Sequence, residues 1–156
     1  MPGVNDTLKI YLDNCCYNRP YDDQSQIRIS LEAQAKIYIQ TMIEAGKFEL
    51  VSSYMLIYEN SRNRIETKRK AIEQFIKDNT AIYIDDSYSE KVERIAIEIQ
   101  KTGVKSADAI HTACAILAKC DFFITTDDRL LKYKSDLISI VDPVEFIRKI
   151  GSDIYE

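Results

Sequence analysis

Five short runs of strand-forming residues alternate with segments of helical period along the chain, and that alternation leaves few folds open. Lys9–Asp13 sets Ile10 and Leu12 on either side of Tyr11, and the loop through Arg19, Pro20, Tyr21, Asp22 and Asp23 is predicted to end this strand. Leu31, Ala35, Tyr38, Ile39 and Met42 then recur at helical spacing as far as Gly46, a natural helix C-cap. Phe48–Ser52 reads as a second strand, with Ser53 placed to cap the helix that follows. Ile65, Ile72, Phe75 and Ile76 mark a further helix. Ala81–Asp85 is a third strand, and Val92, Ile95, Ala96 and Ile99 share one face of a helix ending near Gly103. Ser106 is expected to cap a helix over Ala107–Lys119. "DFFITTDD" is a fourth strand entering an acidic loop, "LISIV" a fifth strand, and Val144–Ile150 a terminal helix.

This order predicts an α/β protein, a three-layer α/β/α sandwich with a central, mostly parallel sheet joined by right-handed crossovers. A chain of 156 residues encloses one core, so a single domain over residues 1–156 is expected. With 46% apolar residues, four glycines and three prolines, it belongs with globular rather than disordered chains. No apolar run approaches the ~20 residues that cross a bilayer, and the start lacks a charged-then-apolar leader, which predicts a cytoplasmic protein with no membrane partner. Cys15, Cys16, Cys114 and Cys120 have no paired C-x-x-C spacing and are expected to be reduced thiols. Cys15 and Cys16 read as packing residues, pointing to opposite faces of an extended segment. The formal charge of −4 argues against nucleic-acid binding through overall charge. An anionic substrate would need a cation to offset the acids.

Ligands of open α/β sheets bind outside the carboxyl ends of the strands, so the positions of acids are informative. Asp13 ends the first strand, and Asp127 and Asp128 follow the fourth. Glu59 interrupts an apolar and aromatic run after the second strand, and Asp108 lies in the first turn of a helix. Carboxylates crowded together take up protons unless a cation compensates. All-oxygen ligands suit Mg²⁺ or Mn²⁺, and such ions support phosphodiester hydrolysis. Each acid also has a structural explanation, as a helix cap, a turn or a surface residue; only their joint placement favours catalysis. His111, the sole histidine, shares a helix face with Asp108 and is expected to pack or to support the site. The basic runs "RNRIETKRK", with Arg62 and Arg64, and "RLLKYK", with Arg129, each follow an acid closely. Together with Arg19, flanked by Tyr17 and Tyr21, they are candidates for RNA contact.

The order of "IYLDNCCYN", "LIYEN", "KSADAIHTACAI" and "FFITTDD" resembles the PIN domain family of metal-dependent nucleases, which includes bacterial VapC-type toxins. The resemblance spans roughly Ile10 to Ile147. It implies an Mg²⁺- or Mn²⁺-dependent ribonuclease acting on RNA, with Asp13, Glu59, Asp108 and Asp127 as the acidic, metal-holding set. It further implies supporting roles for Asn14 and for Thr125 or Thr126, with Asp128 an alternative to Asp127. An antitoxin protein partner and a homodimer are expected from the same kinship. The alternative is a catalytically silent PIN-fold module that acts by binding a protein. A phosphorylated receiver-like domain fits less well, because Asp13 is followed by Asn14 rather than by a second acid.

Overall fold

The computed structural model describes residues 7–154, with strands β1 (Leu8–Leu12), β2 (Phe48–Ser53), β3 (Thr80–Ile84), β4 (Phe122–Ile124) and β5 (Ser139–Val141). They form one all-parallel sheet in the order β3-β2-β1-β4-β5. Around it lie α1 (Asn14–Asn18), α2 (Ile27–Glu44), α3 (Tyr54–Ser61), α4 (Glu66–Asn79), α5 (Ser89–Gln100), α6 (Ser106–Leu117), α7 (Asp128–Leu131) and α8 (Pro143–Ile154). The three-layer α/β/α arrangement follows.

Ile10, Tyr11 and Leu12 in central β1 are all fully buried, because both faces of a parallel sheet are covered by helices. On one face Phe146 of α8 meets Phe48 and Phe122 edge-on, with ring centroids 5.3 and 5.1 Å away. On the other face Tyr11 stacks on Phe123 at 5.2 Å and lies edge-on to His111 of α6. The α2 and α5 helices end as their glycines predict: Gly46 has φ +75° and Gly103 φ +99°, and each donates its N–H to a carbonyl of the helix it closes.

Two local expectations are corrected. The segment after β1 is a helix, not a loop, because Asp13 in extended conformation caps it by accepting from Asn14 N–H at 2.8 Å. Cys15 and Cys16 therefore lie on adjacent positions of a helical turn rather than on opposite faces of a strand; both are free thiols. Ser106 is the first residue of α6, not its cap; Lys105 occupies the cap position with no side-chain hydrogen bond there. Ser53 does cap α3, accepting from Leu56 N–H at 3.3 Å.

Candidate active site

The chain leaves β1 toward β2 and β3 and returns on the other side at β4, so the sheet order reverses between β1 and β4, where a ligand crevice is expected. Asp13 is the first residue beyond β1, and Thr125–Asp127 are the first three beyond β4. Asp13 N–H donates to the Ile124 carbonyl at 2.9 Å, which ties the two strand ends together.

The Asp13 side chain is buried, and its oxygens are held from two sides: Oδ1 by Asn14 N–H at 2.8 Å and Oδ2 by the Thr125 hydroxyl at 2.8 Å. Thr125 Oγ1 in turn accepts from Asp127 N–H at 3.1 Å, so one hydroxyl links the acids of both strand ends. The threonine hydroxyl at Asp13 is thus Thr125; Thr126 touches Cys15 Sγ through its backbone N–H at 3.2 Å. Cys15 Sγ also lies 3.5 Å from Asp13 Oδ2, a contact that its reading as a packing residue missed. Asn14 turns its side chain toward Asn18, whose Nδ2 donates to Asn14 Oδ1 at 3.3 Å.

Glu59 reaches the same crevice from α3. His111 Nε2 is 2.7 Å from Glu59 Oε1 and 3.9 Å from Asp13 Oδ1, while Nδ1 is 2.6 Å from the Tyr11 hydroxyl, itself 2.6 Å from Ser53 Oγ. His111 and Tyr11 are buried, and this chain satisfies both ring nitrogens and the phenol. Burial alone lowers the imidazole pKa; the bond to Glu59 and the charges of Asp13, Glu59 and Asp108 outweigh it, and the net shift is upward. Asp13, Glu59 and His111 each offer a ligand atom within 4.8 Å of the others. With both ring nitrogens already engaged, the carboxylates are the available donors.

Asp108, half-buried in the first turn of α6, has its pKa raised to about 6 by burial, then by the charges of Asp13 and Asp127, with His111 opposing and Glu59 adding. The charges that raise it are those of the other three predicted acids, of which Asp13 and Glu59 offer ligand atoms within 4.8 Å of each other. A folded-state pKa above the unfolded value means the native protein holds this proton more tightly, so stability falls as pH rises from about 4 through about 6. In metal-free protein, Asp108→Asn is expected to raise the melting temperature at pH 7.5 by about 3 °C, roughly 1 kcal/mol after discounting for solvent screening, and to change it little at pH 4. Thermal denaturation in EDTA at both pH values checks this.

Asp128 and Asp127 part company. Asp128 is paired with Arg28 of α2, Nη2 to Oδ1 at 2.8 Å and Nη1 to Oδ2 at 2.9 Å, which holds its carboxyl below the usual range. Asp127 caps α7 through Arg129 N–H at 2.9 Å, and its charge helps to raise the Asp108 carboxyl. Among the candidate RNA contacts, Arg19 is committed to Glu32 at 2.8 Å and Asp22 at 3.1 Å, and Arg62 donates to the Tyr58 hydroxyl at 2.8 Å. Arg64 and Arg129 are exposed, and Arg129 borders the cavity beside Asp108.

The PIN domain family model matches residues 10–135, most of the chain. The chain belongs to the PIN domain family. Comparison with curated proteins gives no match. Among solved structures, a structure of VapBC2 from Rickettsia felis bound to a DNA fragment from their promoter is similar with TM-score 0.55 and 10% identity, covering 85% of this chain and 98% of that one. FitAcB from Neisseria gonorrhoeae is similar with TM-score 0.52 and 14% identity, covering 86% and 97%. At these identities the likeness concerns the fold, and it agrees with the α/β/α sandwich. Among the described residues no helix is long and apolar enough to cross a membrane.

Proposed function

We propose that this chain is a divalent-metal-dependent endoribonuclease that hydrolyses RNA phosphodiester bonds, and that it is the toxin of a toxin–antitoxin pair. The observation that carries the catalytic reading is geometric: the carboxylates of Asp13 and Glu59, from separate segments, offer ligand atoms within 4.8 Å of each other beside His111, and burial together with the charges of Asp13, Asp127 and Glu59 raises the Asp108 carboxyl. Such a donor set, all oxygen, fits Mg²⁺ or Mn²⁺, held by Asp13, Glu59, Asp108 and Asp127. When bound, an ion of this kind activates water and neutralises charge developing on the phosphate. The protein's own part is to hold the carboxylates in place. Thr125 holds the Asp13 carboxylate and the backbone N–H of Asp127, and His111 holds the Glu59 carboxylate.

The test is cleavage of single-stranded RNA with Mg²⁺ or Mn²⁺, repeated in EDTA. Chelation is expected to abolish cleavage, Asp127→Asn to reduce it to background, and Asp128→Asn to leave most of it, since Asp128 serves an exposed ion pair with Arg28. Cleavage that persists in EDTA would sink the metal mechanism.

The toxin reading is supported by the family and by a stripe on α2. Ile27, Leu31 and Tyr38, spaced four and seven residues apart, share a helix face and are 78%, 51% and 44% exposed. An apolar stripe of this kind suits an amphipathic partner segment such as an antitoxin supplies. Pairing of two copies and residence in the cytoplasm belong to the same proposal. The rival, a silent module that works only through a protein partner, predicts tight partner binding and no Mn²⁺ binding in calorimetry.

A further inference from the structure

One of the acids, Asp108, lines a second feature that its own chemistry does not explain. A cavity of about 470 Å³ opens between the turn that joins α5 to α6 and the segment running from α7 to Lys134. Asp108 lines it and Asp13, Glu59 and Asp127 do not, so it borders the acids at Asp108 alone. Its apolar residues are Val104, Leu130 and Tyr133, with Leu130 buried; its cations are Lys105, Arg129, Lys132 and Lys134. Four positive groups against a single acid are the reverse of the chain's overall charge of −4. All four are exposed, and neither the Lys105 ammonium nor the Arg129 guanidinium forms an ion pair among the described residues. Gly103, in a left-handed conformation at φ +99°, shapes the turn on one side of the opening.

The two halves of this lining call for different parts of one ligand. The cations suit phosphate oxygens. The tyrosine and aliphatic residues suit a base or ribose, and the volume suits one nucleotide rather than a base pair. A base reaches such a pocket only from an unpaired strand, where it can be splayed out and stacked on an aromatic side chain.

We infer that the cavity between Thr102–Lys105 and Arg129–Lys134 binds the nucleotide adjoining the scissile phosphate of a single-stranded RNA, its base or ribose against Tyr133 and its phosphate on Lys105 and Arg129. This rests on the nuclease reading for the identity of the strand. It adds that RNA enters past α7, that unpaired RNA is required, and that Arg19 and Arg62 lie outside the main path.

The experiment uses a fluorescent, cleavage-resistant 2′-O-methyl RNA octamer in EDTA, so binding is read whether or not the protein cleaves. Fluorescence anisotropy is recorded across a series of salt concentrations. Wild type is expected to bind, and Lys105→Ala/Arg129→Ala to bind at least about tenfold more weakly, with its log Kd against log salt slope reduced by about 1.4, two phosphate contacts at about 0.7 each. Tyr133→Ala is expected to weaken binding about tenfold and Tyr133→Phe hardly at all, because stacking rather than the hydroxyl is used. A control pair on α4, Lys70→Ala/Lys77→Ala, is expected to bind as wild type. A wild type that fails to bind, a Lys105/Arg129 variant with unchanged affinity and salt slope, or a duplex of the same sequence bound as tightly as the single strand would each overturn the inference. Octamer binding retained by a protein that cleaves no RNA with Mg²⁺ or Mn²⁺ would defeat the nuclease reading and leave this inference standing, so the two failures are told apart.

Discussion

Replacing Asp13 by Asn is expected to lower metal-dependent RNA cleavage at least about 1000-fold, or about 4 kcal/mol of transition-state stabilisation, while the protein still folds. Asp13 combines three roles at one point of the fold. It caps α1, accepts the Thr125 hydroxyl, and its charge helps to raise the Asp108 carboxyl. The amide of Asn keeps an oxygen that can cap the helix, so the loss should fall on catalysis rather than on folding. Asp108→Asn is expected to act alike on cleavage. A companion variant, Thr125→Ala, removes the link between the acids of β1 and β4 and should cost about tenfold to 100-fold, because it disturbs the carboxylates without deleting one. Rates with saturating Mn²⁺, beside circular dichroism spectra, check all three; wild-type cleavage by Asp13→Asn would contradict the mechanism.

His111→Ala is expected to be the most destabilising single change in the site, by about 3 kcal/mol. It leaves the buried Tyr11 hydroxyl with Ser53 alone, releases Glu59 and opens a cavity beside the Tyr11 ring, and losing partners of buried polar groups costs about 1–3 kcal/mol each. Tyr11→Phe removes only the hydroxyl and should cost about 1–2 kcal/mol. The activity effect separates positioning from stability. With Glu59 released, His111→Gln should bind metal more weakly and cleave more slowly even at temperatures where it is folded, whereas Tyr11→Phe retains the Glu59 contact and should cleave at a rate closer to wild type. Denaturant melts combined with cleavage rates at 20 °C distinguish the two. His111→Ala with wild-type stability and activity would remove the Ser53–Tyr11–His111–Glu59 chain from the account.

The parts of this architecture that depend on local pattern can be read in the sequence. Strand runs stopping at Asp13 and before Asp127, a serine following an apolar strand at Ser53, and glycines at Gly46 and Gly103 all act within a few residues, and the structure has each in its expected place. The meeting of Asp13 with Thr125 and Asp127 follows because a parallel sheet puts all its carboxyl ends on one edge. What escapes a local reading is decided by partners distant along the chain. Arg28 selects Asp128 for an ion pair 100 residues away, which leaves Asp127 to the crevice. Likewise, sharing a face with Asp108 says nothing of Glu59, 52 residues earlier, which His111 meets only because α3 and α6 pack together. The α1 helix was hidden for another reason. "NCCYN" has neither a helical apolar period nor strong helix formers, and Asp13 as its cap starts a turn that Pro20 ends soon after.

The most direct test of the central claim, that these acids form one cation site, is isothermal titration of Mn²⁺ into metal-free protein at pH 6 in two buffers of different ionisation enthalpy. Binding is predicted for wild type, with a proton released as the raised Asp108 carboxyl ionises, and neither heat nor proton release for Asp13→Asn/Asp108→Asn. Equal binding by the double variant, or no binding by the wild type, would contradict it.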